Sequence, residues 1–548
     1  MLGPMPSTTC RALLISPRCI TGGTIMIYPN LREVVGCGYL MPPLGLLTVA
    51  ALLPRSWDVR LIDHNFQKLT TEDLDQADIV MTGGMLTQQH DALEIIRLAH
   101  ARGKPVVVGG PDLTSSPHVY SEADFQVRGE AESVMDDFLA AWNSGARSGV
   151  FEAEKFQADI TRSPVPRYDL IKFEDYFHSA VQFSRGCPFT CEFCDIIELF
   201  GRVPRTKTPD QVLGELDALY RLGYRGPVSF VDDNLIGNKK EIRKFLPLLK
   251  AWQEERAYPF EFSTQATVNL GDDPELLALM SQANFAFVFF GIESPDPETL
   301  ISTKKKVNAI RNLTESVANV HGAGMFASAG IIVGFDSEKD GVAEGIIDYI
   351  RAASITVVHP GLLVALPNTQ FTRRLAQEGR LHANAELSLG EQATWGLNFE
   401  TKRPRREVLK DYVMVLDALF TPQAYLSRLR AQARAVKRPK LKTRVALETS
   451  IRALPKMMRI LWRMTTADRA LRREFWHMVF DCSRNNIGAL KYAVVLAALY
   501  FDWGPYVRAL RAQVEREIEL IERGEWHPPV RGSISTAETG MRVNVKVA

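Results

Sequence analysis

Apolar runs of strand length alternate with amphipathic stretches along most of the chain. Runs at 12–15, 59–62, 79–81 and 106–108 each end in a loop rich in Gly, Pro, Asp or Asn, and helical patterns lie between them at 44–53 and 91–102. That rhythm predicts a doubly wound α/β domain over 1–149, a parallel sheet with helices on both faces and ligands at the carboxyl ends of its strands. Three loops mark those ends: Thr82-Gly83-Gly84, Gly109-Gly110-Pro111 followed by Thr114 and Ser115, and Gly129-Glu130. Glycine pairs let a backbone approach a bulky ligand, and the hydroxyls suit hydrogen bonds to one; Gly-Gly after a strand also serves as an ordinary turn.

Residues 150–180, broken by Pro164 and Pro166, read as a linker. The rhythm resumes over 181–400. Strands are expected at 181–183, 228–231, 260–263, 287–290, 329–335 and 361–365, with helices at 209–222, 239–256, 274–284, 308–323 and 338–353. Six strands with intervening helices predict a partial TIM-type (β/α)6 barrel, with polar residues gathered where strands end. From 401 to 531 only helical spacing remains, as at 407–420 and 445–464, which predicts a C-terminal α-helical domain. The polar, Ser- and Thr-containing stretch 532–548 reads as a disordered tail.

Charge changes this picture in one place. The 65 basic and 64 acidic side chains nearly cancel, giving no argument for a nucleic-acid partner, yet 401–530 holds 26 Lys and Arg against 13 Asp and Glu. Basic helical faces beside Trp462 and an apolar run at 492–501 fit helices lying on an anionic membrane, and equally a helical cap with a solvated basic face. No uncharged apolar stretch reaches 18 residues, and the first eleven residues show no secretory pattern.

The chemistry concentrates at 184–195, S-R-G-C-P-F-T-C-E-F-C-D. Three of the seven cysteines, Cys187, Cys191 and Cys194, fall within eight positions, whereas Cys10, Cys19, Cys37 and Cys482 are scattered. Crowded thiolates suit iron–sulfur or zinc ligation better than disulfides. Zinc wants a fourth protein ligand and usually paired Cys-x-x-Cys elements, and no such pair follows. A cube of four irons on three thiolates keeps one corner open.

The spacing Cys-x-x-x-Cys-x-x-Cys, with Phe193 before the last cysteine, resembles the signature of the radical S-adenosylmethionine superfamily. The preceding α/β domain, with its Met41-Pro42-Pro43-Leu44-Gly45 stretch and glycine loops, resembles the cobalamin-binding subclass. Residues 187–205, with Lys207-Thr208-Pro209 and 231–239, resemble the branch that includes hopanoid C-2 methylases. The resemblance implies a 4Fe-4S cluster on Cys187, Cys191 and Cys194, its fourth iron chelated by S-adenosylmethionine. It implies Phe193 against the adenine, Asp232, Asp233 and Asn234 at the amino group, Thr264 and Gln265 at the ribose, and Gly291 and Glu293 at the adenosyl group. Capping or turn formation is the competing role for each of these. Thr82, Gly83, Gly84, Gly109, Gly110, Pro111, Thr114, Ser115, Gly129 and Glu130 become cobalamin contacts. Asp-x-His-x-x-Gly is absent, since His64 directly follows Asp63 and His118 follows a proline, so no histidine is expected beneath the cobalt.

The implied activity is methylation of an unactivated carbon, of a hopanoid or another lipid-like or small molecule, through a 5'-deoxyadenosyl radical and methylcobalamin. The alternatives are a non-methylating rearrangement or cyclisation, and an iron–sulfur/cobalamin redox sensor. The expected setting is cytoplasmic, with peripheral membrane contact and a one-electron donor such as flavodoxin or ferredoxin.

Overall fold

The computed structural model describes residues 10–19, 29–383, 396–441 and 447–528. The first sheet holds β1 (Arg11–Ser16), β2 (Asp58–Asp63), β3 (Ile79–Gly83), β4 (Val106–Gly109), β5 (Phe125–Arg128) and β6 (Gly149–Glu152). All pair in parallel in the order β2-β1-β3-β4-β5-β6, so the chain reverses direction across the sheet between β1 and β3. Alternation along β1 explains the two layers of helices. Leu13 and Ile15 join Ile95 and Ile96 on one face, whereas Ala12 and Leu14 join Ala50 and Phe138 on the other.

A second sheet follows: β7 (Ser179–Val181), then β10 (Gly226–Phe230), β11 (Phe260–Ala266), β12 (Phe285–Glu293), β13 (Phe326–Val333) and β14 (Val358–Leu362). Between β7 and β10, a two-stranded antiparallel ribbon of β8 (Ser184–Arg185) and β9 (Arg205–Thr206) brackets the cysteines. The six parallel strands run in the order β14-β13-β12-β11-β10-β7, an open barrel with a gap between β7 and β14. Phe260, Phe262, Phe285, Val288 and Phe290 are buried on the outer face. The intervening residues Glu261, Ser263, Gln265, Phe287, Phe289 and Gly291 keep some exposure and face the lumen.

The C-terminal region is helical: Arg405–Leu419, Pro422–Ala435, Leu447–Thr466, Arg469–Asn485, Ile487–Ala498 and Tyr500–Glu522. It closes the barrel from the side and from below. Trp503 stacks on Phe420 at 5.1 Å, and Tyr492 packs against Phe287 and Phe326. The short helix Pro29–Val35 from the N-terminal part docks there too, Asn30 donating from its backbone to Asp502 Oδ1 at 2.7 Å and from its side chain to the Phe501 carbonyl at 3.1 Å. Residues 487–522 are long and apolar enough to cross a membrane by length and composition, but 56% of the apolar window is buried inside the protein.

The α/β class, the partial barrel and the helical C-terminal region agree with the sequence expectation. Two strands do not stand out in the sequence. β5 is only four residues long, and β6, at 149–152, lies at the start of the stretch read as linker and alternates between half-buried and exposed as an edge strand. The stretch 532–548 lies outside the described residues.

Candidate active site

The cysteine loop leaves the end of β8 and is pinned from several sides. Asp232, just beyond β10 and 1% exposed, accepts from the Phe183 N–H (3.1 Å), the Ser184 N–H and the Ser184 hydroxyl (2.6 Å). Asp233 accepts from the Gly186 N–H at 2.9 Å, and the Cys187 N–H donates to the Gly201 carbonyl at 3.2 Å. Glu192 is tied through its backbone to Thr303 and Phe371, and through its side chain to Arg374 at 2.7 Å. Cys187, Cys191 and Cys194 are thus presented as free, half-buried thiols. Burial pushes all three thiols up, so metal binding must displace their protons.

The donor set fits a cluster. Among the described residues no three His, Cys, Asp or Glu side chains converge on a single-ion site, and a cube takes each thiolate on a different iron. Asn234 Nδ2 reaches to 3.9 Å from Cys187 Sγ. Lys305, 7% exposed, pairs with Glu293 at 2.6 Å and lies 5.9 Å above the Phe193 ring, which packs 5.6 Å from Phe335. Its ammonium would meet a Cβ on Gly291 at 2.8 Å, so only glycine leaves it that position.

The strand-end residues divide by what they already bond. Asp232 has both oxygens engaged in holding the loop, and burial pushes its carboxyl up to about 7. Asp233, half-buried with one oxygen engaged, is the carboxylate of this pair with capacity left for an ammonium group. Asn234 is buried and bonded to Thr267. Thr264 donates to the Phe230 carbonyl at 3.3 Å, whereas Gln265 projects exposed into the lumen.

In the N-terminal domain the two glycine loops interlock. A Cβ on Gly83 would come within 2.2 Å of the Gly109 carbonyl oxygen, one on Gly84 within 2.4 Å of Gln88 Oε1, and Gly110, at φ +94°, would place one 3.0 Å from the Gly84 nitrogen. Close approach of backbone to backbone therefore accounts for glycine here before any ligand is considered. The Thr82 hydroxyl donates to the Ile15 carbonyl, and the Thr114 hydroxyl donates to the Gly110 carbonyl while accepting from the Gly129 N–H. Pro111 opens a short helix, and the Ser115 carbonyl accepts from Asn368 of the barrel at 2.7 Å.

Glu130 is occupied by the barrel. Its two oxygens take Arg185 (3.0 Å) and Arg205 (2.7 Å), while Glu132 takes Arg185 at 2.7 Å. These side chains are 4–17% exposed, so the ribbon that brackets the cysteines is clamped to the loop that follows β5 of the first domain. Arg185, Arg205, Glu132 and Lys305 carry no local sequence signal. The partners of the two arginines lie 53 to 75 residues away and become visible only once the two domains are docked, whereas Lys305 meets Glu293 from 12 positions away through the fold of the barrel itself.

A surface cavity of about 590 Å³ bordered by Arg351, Asp417, Thr421 and Arg428 lies elsewhere, at the end of the barrel where β14 begins.

A sheet domain set before a three-cysteine partial barrel defines a class, and comparison with known proteins agrees. Residues 34–139 match the B12 binding domain, 181–350 the radical SAM superfamily and 369–516 a domain of unknown function. An uncharacterized methyltransferase of Synechocystis is 40% identical over 93% of this chain and 94% of its own length. The hopanoid C-2 methylase of Rhodopseudomonas palustris is 36% identical over 77% of this chain and 79% of its own. In fold, the chain resembles the radical S-adenosylmethionine methyltransferase TsrM of Kitasatospora setae (TM-score 0.61, 15% identity, 87% of this chain and 99% of that one). It also resembles the cobalamin-dependent enzyme OxsB (TM-score 0.60, 14% identity, 95% and 82%).

The chain belongs to the cobalamin-binding radical S-adenosylmethionine family, in the branch that includes hopanoid C-2 methylases, and is a C-methyltransferase that uses a 4Fe-4S cluster, S-adenosylmethionine and cobalamin.

Proposed function

We propose that the chain methylates an unactivated carbon of an apolar polycyclic substrate of the hopanoid type. The supporting observation is the lumen beneath the cysteine loop: Phe287 and Phe289 face it, and the charged groups described there are paired, Glu293 with Lys305 and Glu261 with Tyr492 and Lys491. When bound, the cluster with S-adenosylmethionine supplies a radical that removes hydrogen, and cobalamin supplies the methyl group. The residues of the chain place and shield these events. Cys187, Cys191 and Cys194 hold irons; Asp233 meets the ammonium group of S-adenosylmethionine and Gln265 its ribose. Phe193 would give the adenosyl group a flat wall, and the Lys305–Glu293 pair, seated against Gly291, its floor. The loops at Gly84, Gly109 and Pro111 would meet the corrin, and the Arg185–Glu130–Arg205 clamp ties their domain to the ribbon that brackets the cysteines.

The test uses anaerobically reconstituted enzyme, a hopanoid and a strong one-electron donor. The expected product is one methyl group heavier, with 5'-deoxyadenosine and S-adenosylhomocysteine formed in step; Cys191→Ala abolishes 5'-deoxyadenosine. Formation of 5'-deoxyadenosine without a gain in product mass would sink methylation in favour of rearrangement, and unchanged hopanoids in a deletion strain would remove the triterpene.

A second part of the proposal concerns setting: a cytoplasmic enzyme, reduced by a flavodoxin or ferredoxin, that touches the membrane holding its substrate. Leu454, Met458 and Trp462 stand exposed (58%, 61% and 71%) at helical spacing on Leu447–Thr466, and Phe480 (69%) stands exposed on the next helix. Arg459, Arg472, Arg473 and Arg484 are exposed among them.

A further inference from the structure

Pairing in register puts Gly291 of β12, Gly330 of β13 and His359 of β14 on one level of the lumen. Two adjacent positions there lack side chains. A Cβ on Gly330 would lie 3.0 Å from Phe289 Cζ and 3.8 Å from Glu293 Oε2, so this face also carries the pair beside the cysteine loop. Two residues further along β14, a Cβ on Gly361 would meet no atom within 4 Å. Open space therefore runs along β14 on the side that faces the chemistry.

His359 is gripped edge-on by two rings, Phe289 at 5.5 Å and Trp503 at 5.3 Å. It keeps accessible surface although protein encloses it, and burial pushes its pKa down to about 4, so the imidazole is neutral at pH 7. A neutral imidazole offers one donor and one acceptor, and neither ring nitrogen has a hydrogen-bond partner among the described residues. Beside it Trp503 Nε1 is buried and also without a partner. Buried polar groups are almost always paired, so an unpartnered imidazole that keeps accessible surface beside open space calls for a ligand group, whereas the Trp503 N–H has no surface open to one.

We propose that the imidazole of His359 holds the hydroxyl of an otherwise apolar and uncharged substrate whose ring system lies over Gly361. This rests on the lipid reading above and narrows it to alcohols. It makes His359 a specificity residue that binds the substrate hydroxyl while the cysteine loop faces the reacting carbon.

The test compares two probes on the holoenzyme, a hopanoid alcohol and the same skeleton without the hydroxyl. Wild type is expected to show a KM about tenfold lower for the alcohol, and His359→Phe to erase that difference while changing kcat less than twofold. His359→Gln restores part of it, and the ¹⁵N resonance of His359 in histidine-labelled wild type moves when the alcohol is added. Gly361→Leu, which fills open space in backbone that is not left-handed, is expected to weaken both probes. Thermal midpoints and circular dichroism check the fold; should His359→Phe not fold, the ¹⁵N shift and Gly361→Leu decide. Equal KM values for the two probes in wild type, or an unmoved His359 resonance, overturn the assignment. Methylation of both probes without regard to His359 overturns it alone, whereas binding of neither probe overturns the lipid reading with it.

Discussion

Position 338 carries a carboxylic acid whose charge has no partner. Glu338 is 5% exposed, accepts the Gly334 N–H at 2.9 Å with one oxygen and leaves the other unbonded. Burial pushes its pKa up to about 7 from 4.5. The folded chain therefore keeps a proton that the unfolded chain has released between those values. The stability this contributes is complete below pH 4.5 and falls as pH rises toward 7. Glu338→Gln keeps the acceptor and removes the charge. Its thermal midpoint should gain on wild type between pH 5 and pH 8, by up to about 3 kcal/mol of stability; parallel profiles would refute this. Residues of such kind mark the limit of reading a sequence one position at a time. The cysteines are legible because their spacing is local and their chemistry is particular. Asp232 reads as an ammonium ligand from its place after a strand, but its bonds go to Phe183 and Ser184, some 48 residues away. Glu130 reads as a cobalamin contact for the same reason, and its oxygens go to two arginines instead.

Among the elements, the ribbon β8–β9 does more than its four residues suggest. Arg185, from this ribbon, enters a pocket with Glu130 and Glu132, and the pairing holds the Glu132 carboxyl down at about 2 despite its burial. Stability from this depressed pKa is present above 4.5 and lost as pH falls toward 2. Removing one partner strands a buried charge. Arg185→Met should therefore cost about 3–5 kcal/mol and expose the ribbon to protease, while adding Glu132→Leu should return a large part of the loss. Independent, additive losses in the double variant would show that the pair is not coupled. Longer elements were easier to foresee: the phenylalanine-rich runs of β11 and β12 announce buried strands. A ribbon of two residues per strand, or an edge strand such as β6, has too few positions to show a period.

For the whole molecule, the three-part order of sheet, barrel and helices follows from the rhythm of the sequence, because each part has its own period. How the parts close on one another does not, because Asn30 and Asp502 meet across 472 positions. The C-terminal helices face both ways. Trp503 and Tyr492 turn inward to the barrel, whereas Trp462 and Phe480 turn outward among arginines. The outward face should bind vesicles containing about a third anionic lipid in cosedimentation, more weakly as salt rises. Trp462→Ser with Phe480→Ser should weaken binding about tenfold and leave the thermal midpoint in place, since both side chains are exposed. Equal binding to neutral vesicles at high salt would count against an interfacial role for the arginines.

The join between Asn30 and Asp502 has a consequence in time. It links the two ends of the chain, so it cannot form while the chain is still being made. A ribosome has released the three cysteines and all six barrel strands well before it reaches Asp502. During that interval the barrel lacks its C-terminal helices, and Phe287, Phe326 and His359 stand without the rings of Tyr492 and Trp503 that cover them. Docking of the last helices then covers that surface, so completion of the barrel waits for the end of the chain.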